Sequence, residues 1–163
     1  MNAPEKVSQY ILDQIGQQHE EMTAWRRDIH ANPELGFEET RTSDLVARRL
    51  ESWGIEVHRG IGKTGLVGVL NVGSSPRKIG LRADMDALPV QESNTFPHHS
   101  QHEGKMHACG HDGHMTMVLA AAAELKQNVE FDGTAYFLFQ PAEEPGHLRG
   151  PGAAGYRTVD PVQ

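Results

Sequence analysis

The feature that most constrains this chain is the segment 107–114, which has the sequence HACGHDGH. Three imidazoles, one carboxylate and the only cysteine of the protein lie within these eight residues. Thiolate, imidazole and carboxylate groups bind borderline-soft transition metals, and a turn at the start of a helix brings such ligands together. The segment therefore predicts a metal site, and the fold must place it where a helix begins.

Not every polar residue of this segment need touch the ion. We expect Cys109 and His111 to bind the metal, because the glycines around them let the backbone turn tightly. His107 and His114 are further ligands, groups that support a ligand, or residues of the helix start. Asp112 either orients a ligand imidazole or caps the helix that follows. A free cysteine without such neighbours would more often be a small buried hydrophobe.

Two glutamates follow a predicted buried strand. The segment 139–144, FQPAEE, ends in Glu143 and Glu144, and the carboxyl ends of strands are where open α/β sheets bind ligands. One carboxylate can bind a metal ion while its neighbour accepts a proton from water, so the pair suits metal-assisted hydrolysis. Asp84 and Asp86 follow another predicted strand, and they either belong to the site or form a polar turn before Pro89.

Hydrophobic periodicity predicts alternating helices and strands. We expect helices over about residues 5–30, 38–53 and 114–126, and strands over 55–58, 66–70, 78–82 and 133–139. This order predicts an α/β fold with a layered sheet and flanking helices. The sheet is expected to be mixed, because residues 67–82 look like a hairpin. The last strand, continuous in apolar and aromatic residues, is expected to be buried on both faces.

Composition restricts the partners and the location of the protein. A net charge of −7 argues against nucleic acid and anionic membranes as partners. A single cysteine excludes a disulfide within the chain. No signal-peptide pattern stands at the start, and no apolar run approaches the roughly 18 residues needed to span a bilayer. We therefore expect a cytoplasmic protein.

Two lookalike features do not change this interpretation. Residues 60–65, GIGKTG, have the spacing of a dinucleotide fingerprint, but they precede a strand instead of opening a helix. They also lack the glycine that a P-loop requires, so we interpret them as a turn. Cys109 as the nucleophile of a thiol hydrolase remains a minor alternative, because it would need a base without a metal competing for both groups.

Four segments resemble, in their order and spacing, the signature segments of one enzyme family. They are RDIHANPELGFEE (27–39), LRADMDALP (81–89), HACGHDGH (107–114) and FQPAEE (139–144). They are similar to those of the metal-dependent amidohydrolases that include hippurate hydrolase, N-acyl-amino-acid amidohydrolase and indole-acetyl-amino-acid hydrolase. The resemblance covers about residues 5–144. It implies a zinc-exopeptidase-like catalytic domain with two ions of manganese, zinc or cobalt.

The resemblance also implies roles for individual residues. Cys109, His111 and Glu144 match metal ligands, Glu143 matches the general base, and Asp86 matches an acidic residue near the site. The implied reaction is hydrolysis of the amide bond of a small N-acyl amino acid. A hydroxide held by the metal would attack the acyl amide. Glu143 would accept the proton that the water loses and pass it to the leaving amine, and the metal pair would stabilise the oxyanion.

The chain also departs from that family. Relatives are more than twice as long, with two further histidine ligands and a lid domain that often mediates homodimers. Residues 1–144 are thus expected to be the amino-terminal part of a catalytic domain, and the Gly- and Pro-rich residues 145–163 an irregular, disordered tail. A frameshift or truncated gene would produce such a tail. His147 is a weak candidate for a replacement ligand. The alternative function is a non-catalytic remnant that binds metal weakly.

Overall fold

The computed structural model describes residue 10 and residues 12–127 and 130–144. The predicted irregular tail and His147 lie outside the described residues, as does the start of the first predicted helix. Within the described range, all three predicted helices and all four predicted strands are found, with shifted ends.

Three helices are defined, α1 (His19–Ala31), α2 (Thr40–Ser52) and α3 (His111–Gln127). Residues 12–17 are also helical, but a turn at Gln18 separates them from α1, so the predicted single helix is interrupted. Helix α2 ends at Ser52, one residue before the predicted end at residue 53, and Gly54 follows with a φ of 71° that lets the Ile55 N–H reach the Leu50 carbonyl. Helix α3 begins three residues earlier than predicted.

Four strands form one mixed sheet. They are β1 (Glu56–Ile61), β2 (Gly65–Val72), β3 (Lys78–Asp84) and β4 (Gly133–Gln140), in the order β1-β2-β4-β3. β1 pairs with β2 and β2 with β4 in antiparallel fashion, whereas β3 runs parallel to β4. The predicted α/β class and mixed sheet are therefore confirmed.

The predicted hairpin over residues 67–82 is wrong. β2 and β3 do not pair with each other, because β4 lies between them. The hairpin of this sheet is β1–β2, joined by the turn at residues 62–64. This turn is the GIGKTG segment, so the interpretation of that segment as a turn is confirmed.

The core lies between the helices and one face of the sheet. It contains residues of α1, α2, α3 and the central strands: Trp25, Ile29, Val46, Leu50, Leu66, Met115, Leu119, Phe137 and Phe139. The expectation that β4 is buried on both faces is wrong over its second half, where Leu138 is 37% exposed while its neighbours Phe137 and Phe139 are buried. The reason is that this side of the sheet carries no helix among the described residues.

The parallel pairing of β3 with β4 positions the acidic segments. Asp84 is aligned with Gln140 at the ends of the two strands, and the Met85 N–H donates to the Gln140 carbonyl at 2.9 Å. The chain after β3 and the chain after β4 therefore leave the sheet at the same edge. This brings Asp86 close to Glu144, although 58 residues separate them in sequence.

Candidate metal centre

The turn before α3 presents the predicted ligands at the edge where β3 and β4 end. Gly110 has a φ of 84°, a conformation that favours glycine. The Gly110 N–H donates to the His107 carbonyl, and the His114 N–H donates to the Gly110 carbonyl, which begins the helix. Cys109 therefore lies just before the helix and His111 in its first turn, as the sequence predicts.

Three predicted ligands come together here. One side-chain atom each from Cys109, His111 and Glu144 lie within 4.8 Å of one another. His111 is buried, Glu144 is partly buried and Cys109 is exposed, so the group is open to solvent on the cysteine side. A thiol, an imidazole and a carboxylate at this spacing form a donor set that suits a borderline-soft divalent ion.

The orientation of His111 is set by Asp86. The ring Nδ1 donates to the Asp86 backbone carbonyl at 2.8 Å and lies 3.3 Å from its carboxylate. In the neutral ring the lone pair is therefore on Nε2, which lies 3.9 Å from Glu143 Oε2 and 3.9 Å from Glu144 Oε1. The hydrogen bond to Asp86 raises the pKa of His111 to about 8, against the opposing effect of burial.

Asp86 also holds the glutamate segment. Its Oδ2 accepts a hydrogen bond from the Glu144 N–H at 2.9 Å, and its side chain is fully buried. Burial acts to raise the pKa of Asp86, but hydrogen bonds from His111 and from the backbone of Glu144 and Glu143 outweigh it, and the net pKa lies below the usual value. Asp86 therefore stays ionised and connects the imidazole to the glutamate segment.

The metal-free thiol lies in an unfavourable electrostatic environment. A hydrogen bond with Glu144, some desolvation and the negative charges of Glu144, Glu143 and Asp86 raise the pKa of Cys109 to about 11. A divalent cation among these groups would reverse that effect, because it favours the thiolate. The residues present therefore fit the metal that the sequence predicts.

A second group shares His111. Ligand atoms of Asp84, His111 and His114 also lie within 4.8 Å of one another, and His114 Nδ1 lies 3.9 Å from Asp84 Oδ2. The structure thus brings Asp84 and His114 to the same edge as the first group.

His107 and Asp112 lie elsewhere. His107 belongs to neither group; it is 4% exposed, and its ring nitrogens have no hydrogen-bond partner among the residues that the structure describes. Burial lowers the pKa of His107 to about 4, so the ring is neutral at ordinary pH. Asp112 Oδ2 accepts hydrogen bonds from Arg26 Nε at 3.2 Å and His30 Nδ1 at 2.9 Å, so its partners are on α1.

Sequence reasoning did not single out several supporting residues. His30 links Asp112 to Glu92, and Glu34 accepts the N–H groups at the start of α2. Glu39 is completely buried and contacts the segment that carries Glu143 and Glu144. The partners of His30 and the Ala142 partner of Glu39 lie 62 to 103 residues away in sequence, so no local signal marks these two roles. The partners of Glu34 are only 7 and 8 residues away. All three residues lie in the first signature segment, which was the only feature that set them apart.

Comparison with known proteins decides the family. The profile described as Peptidase family M20/M25/M40 matches residues 80–159. The hippurate hydrolase of Campylobacter jejuni is 54% identical over 134 residues, which are 82% of this chain and 34% of the relative. This chain belongs to peptidase family M20/M25/M40. The match continues to residue 159, so the resemblance does not stop at Glu144 as the sequence motifs suggested.

Other M20/M25/M40 relatives agree. The IAA-amino acid hydrolase ILR1-like 5 of Arabidopsis thaliana is 50% identical over 126 residues, covering 77% of this chain and 29% of the relative. The Bacillus subtilis YXEP protein, described as a dinuclear metal binding peptidase, superimposes with a TM-score of 0.72 at 40% identity, covering 78% of this chain and 36% of that one. A putative aminohydrolase from methicillin-resistant Staphylococcus aureus superimposes with a TM-score of 0.75 at 33% identity, and the match covers 85% of this chain and 37% of that one.

This M20/M25/M40 chain spans about a third of the length of the curated relatives it matches. Within its described part, no helix is long and apolar enough to cross a membrane.

Proposed function

We propose that this chain belongs to a metal-dependent hydrolase that cleaves the amide bond of small N-acyl amino acids. The observation that carries the proposal is the convergence of Cys109, His111 and Glu144, with Glu143 beside them. The names of the relatives, hippurate hydrolase and IAA-amino acid hydrolase, support the substrate class. The sequence expectations of a cytoplasmic location and of no nucleic-acid partner remain predictions.

Cys109, His111 and Glu144 would hold the ion, through the thiolate, the imidazole Nε2 and a carboxylate oxygen. We propose manganese, zinc or cobalt, and two ions in the complete centre, as the description of the Bacillus subtilis neighbour supports. A divalent ion bound here would polarise the substrate carbonyl and lower the pKa of water.

Glu143 is the general base of the proposed reaction. Its side chain is 39% exposed, and Oε2 lies 3.9 Å from His111 Nε2, so the carboxylate is accessible and close to the proposed ligands. Glu143 accepts one proton from the attacking water while the water oxygen bonds to the carbonyl carbon. The same carboxyl group then donates that proton to the leaving nitrogen as the C–N bond breaks. Products are a carboxylic acid and a free amino acid.

Cobalt titration and hydrolysis of benzoylglycine test this proposal on the full chain. Thiolate ligation gives a charge-transfer absorption on adding Co²⁺, which Cys109→Ser removes. Glu143→Gln should keep cobalt binding and lose at least about 100-fold in turnover, since a general base contributes about 10²–10⁴-fold. Turnover that survives in Glu143→Gln, or cobalt absorption that survives in Cys109→Ser, would contradict the assignments.

The alternative is a chain that binds metal without catalysis. Exposed apolar residues favour it: Ile79 lies on β3 in register with buried Ala135, yet Ile79 is 61% exposed, and Met117 of α3 is 60% exposed. Cobalt absorption that depends on Cys109, without turnover of benzoylglycine by folded wild-type protein, would support this alternative.

A further inference from the structure

We propose that Glu39 is a positioning residue that holds the turn bearing Glu143 and Glu144, and that it does so through the Ala142 backbone. The inference rests on the proposed function for the roles of the two glutamates. Glu39 belongs to neither of the two groups of candidate metal ligands among the described residues. It lies just before α2, 103 residues from Ala142 in sequence.

Both carboxylate oxygens of Glu39 are engaged. Oε1 accepts a hydrogen bond from the Ala142 N–H at 2.9 Å, and Oε2 accepts one from the Thr64 hydroxyl at 2.6 Å. The Glu39 residue is 0% exposed. One side chain thus links the start of α2, the β1–β2 turn and the segment that follows β4.

The turn at Ala142 needs such a partner. Ala142 has a φ of 49°, a left-handed conformation that is unfavourable for residues with a Cβ and costs about 1 kcal/mol or more. The preceding Pro141 has no N–H to contribute. Pro141 instead packs against the β1–β2 turn, where a Cβ added to Gly62 would lie 3.6 Å from its ring. The Glu39 hydrogen bond therefore stabilises a backbone conformation that the local sequence does not favour.

Two buried carboxylates accept hydrogen bonds from the backbone on either side of Glu143. Glu39 holds the N–H of Ala142, and Asp86 holds the N–H of Glu144, so Glu143 lies between two fixed amides. If the Glu39 contact is lost, Ala142 can relax out of its left-handed conformation and move both glutamates. Displacements of about 1 Å are sufficient to lower catalysis strongly.

Packing alone does not account for a carboxylate at this position. Burial raises the pKa of Glu39, so an ionised group is disfavoured there and an apolar side chain would fill the space at less cost. What an apolar side chain lacks is the pair of acceptors for Thr64 and Ala142. Gln retains one acceptor at the same reach, and the Thr64 hydroxyl can turn to accept from its amide.

Hydrogen exchange of the Ala142 amide, measured by NMR on metal-free full chain, tests the contact directly. Glu39→Met fills the volume without acceptors, so the Ala142 amide should exchange at least about 10-fold faster in this variant. In Glu39→Gln the Ala142 exchange rate should stay within about 3-fold of wild type. Val46→Ala destabilises the same helix without touching the turn, and it should leave Ala142 exchange, relative to the core amide of Phe137, unchanged. Thr64→Val should give an increase of about 3-fold or more, which keeps the test decisive if Glu39→Met does not fold.

Cobalt affinity tests the consequence for the site. Supporting residues of metal ligands typically contribute 10–100-fold in affinity, so Glu39→Met should bind Co²⁺ at least about 10-fold more weakly, with Glu39→Gln restoring it. Ala142 exchange that does not change overturns the proposal, and so does faster exchange with wild-type affinity. If wild-type protein binds no cobalt, the proposed function fails, and the exchange data alone decide whether Glu39 holds the turn.

Discussion

Replacement of Asp86 by Asn should lower the pKa of His111 in the metal-free protein. Asp86 raises that pKa from 6.5 to about 8, chiefly through its hydrogen bond with the ring. At 1.36 kcal/mol for each pKa unit, the difference corresponds to about 2 kcal/mol of interaction with the protonated ring. The His111 side chain is only 5% exposed, so solvent screens this interaction weakly. The Asp86 carbonyl still accepts from Nδ1 in the variant, and about 1–2 kcal/mol should therefore be lost.

The same interaction predicts a pH-dependent loss of stability. A group with a raised pKa in the folded state stabilises the protein fully below its unfolded pKa of 6.5, and this contribution disappears as the pH rises through about 8. Asp86→Asn should therefore reduce the free energy of unfolding by about 1–2 kcal/mol more at about pH 6 than at about pH 9.5.

Imidazole NMR titration gives the pKa of His111, and urea unfolding at the two pH values gives the stability. The control is Asp28→Asn, which removes a half-exposed ion pair with Arg41 and should show no such pH dependence. A His111 pKa that remains near 8 in Asp86→Asn, or an equal loss of stability at both pH values, would refute the reasoning.

Three further predictions concern the neighbourhood of the site. Gly65→Ala should destabilise by about 1–3 kcal/mol in urea unfolding, because the added Cβ would lie 2.7 Å from Pro141 Cδ; unchanged stability would contradict this close approach. In metal-free protein, the raised pKa of Cys109, about 11 against 9.0, should slow alkylation by iodoacetamide at about pH 8 roughly 100-fold, and Glu144→Gln should accelerate it; mass spectrometry measures both rates. Asp112→Ala should lower the free energy of unfolding by about 1–3 kcal/mol by leaving its partners on α1 unpaired, and a cost below about 0.5 kcal/mol would show that these hydrogen bonds contribute little.

Much of the fold could be predicted from periodicity. Helices and strands were located because each presents a local hydrophobic pattern. Strand order was not predictable in the same way. The sequence suggested that β2 and β3 pair because they are adjacent in the chain, whereas β4 inserts between them from more than 50 residues away. Strand pairing depends on which apolar faces pack together, and the spacing of residues along the sequence does not specify this.

The same distinction between local and long-range information applies to the candidate site. Cys109 and His111 were predictable because two residues of separation across a glycine turn at a helix start fix their proximity. Asp86 was predictable only as a neighbour of the site, and its two hydrogen bonds to His111 and Glu144 became evident from the structure.

The sequence by itself determined the chemical types of the proposed ligands, the helix start that presents two of them and the family to which the chain belongs. Those properties depend on covalent spacing and local backbone preference. The tertiary structure alone decided that β3 and β4 lie side by side, that Asp86 meets both His111 and Glu144, and that Glu39 reaches Ala142. These contacts join residues that are distant in the chain, and only burial of a shared core gives enough free energy to bring them together.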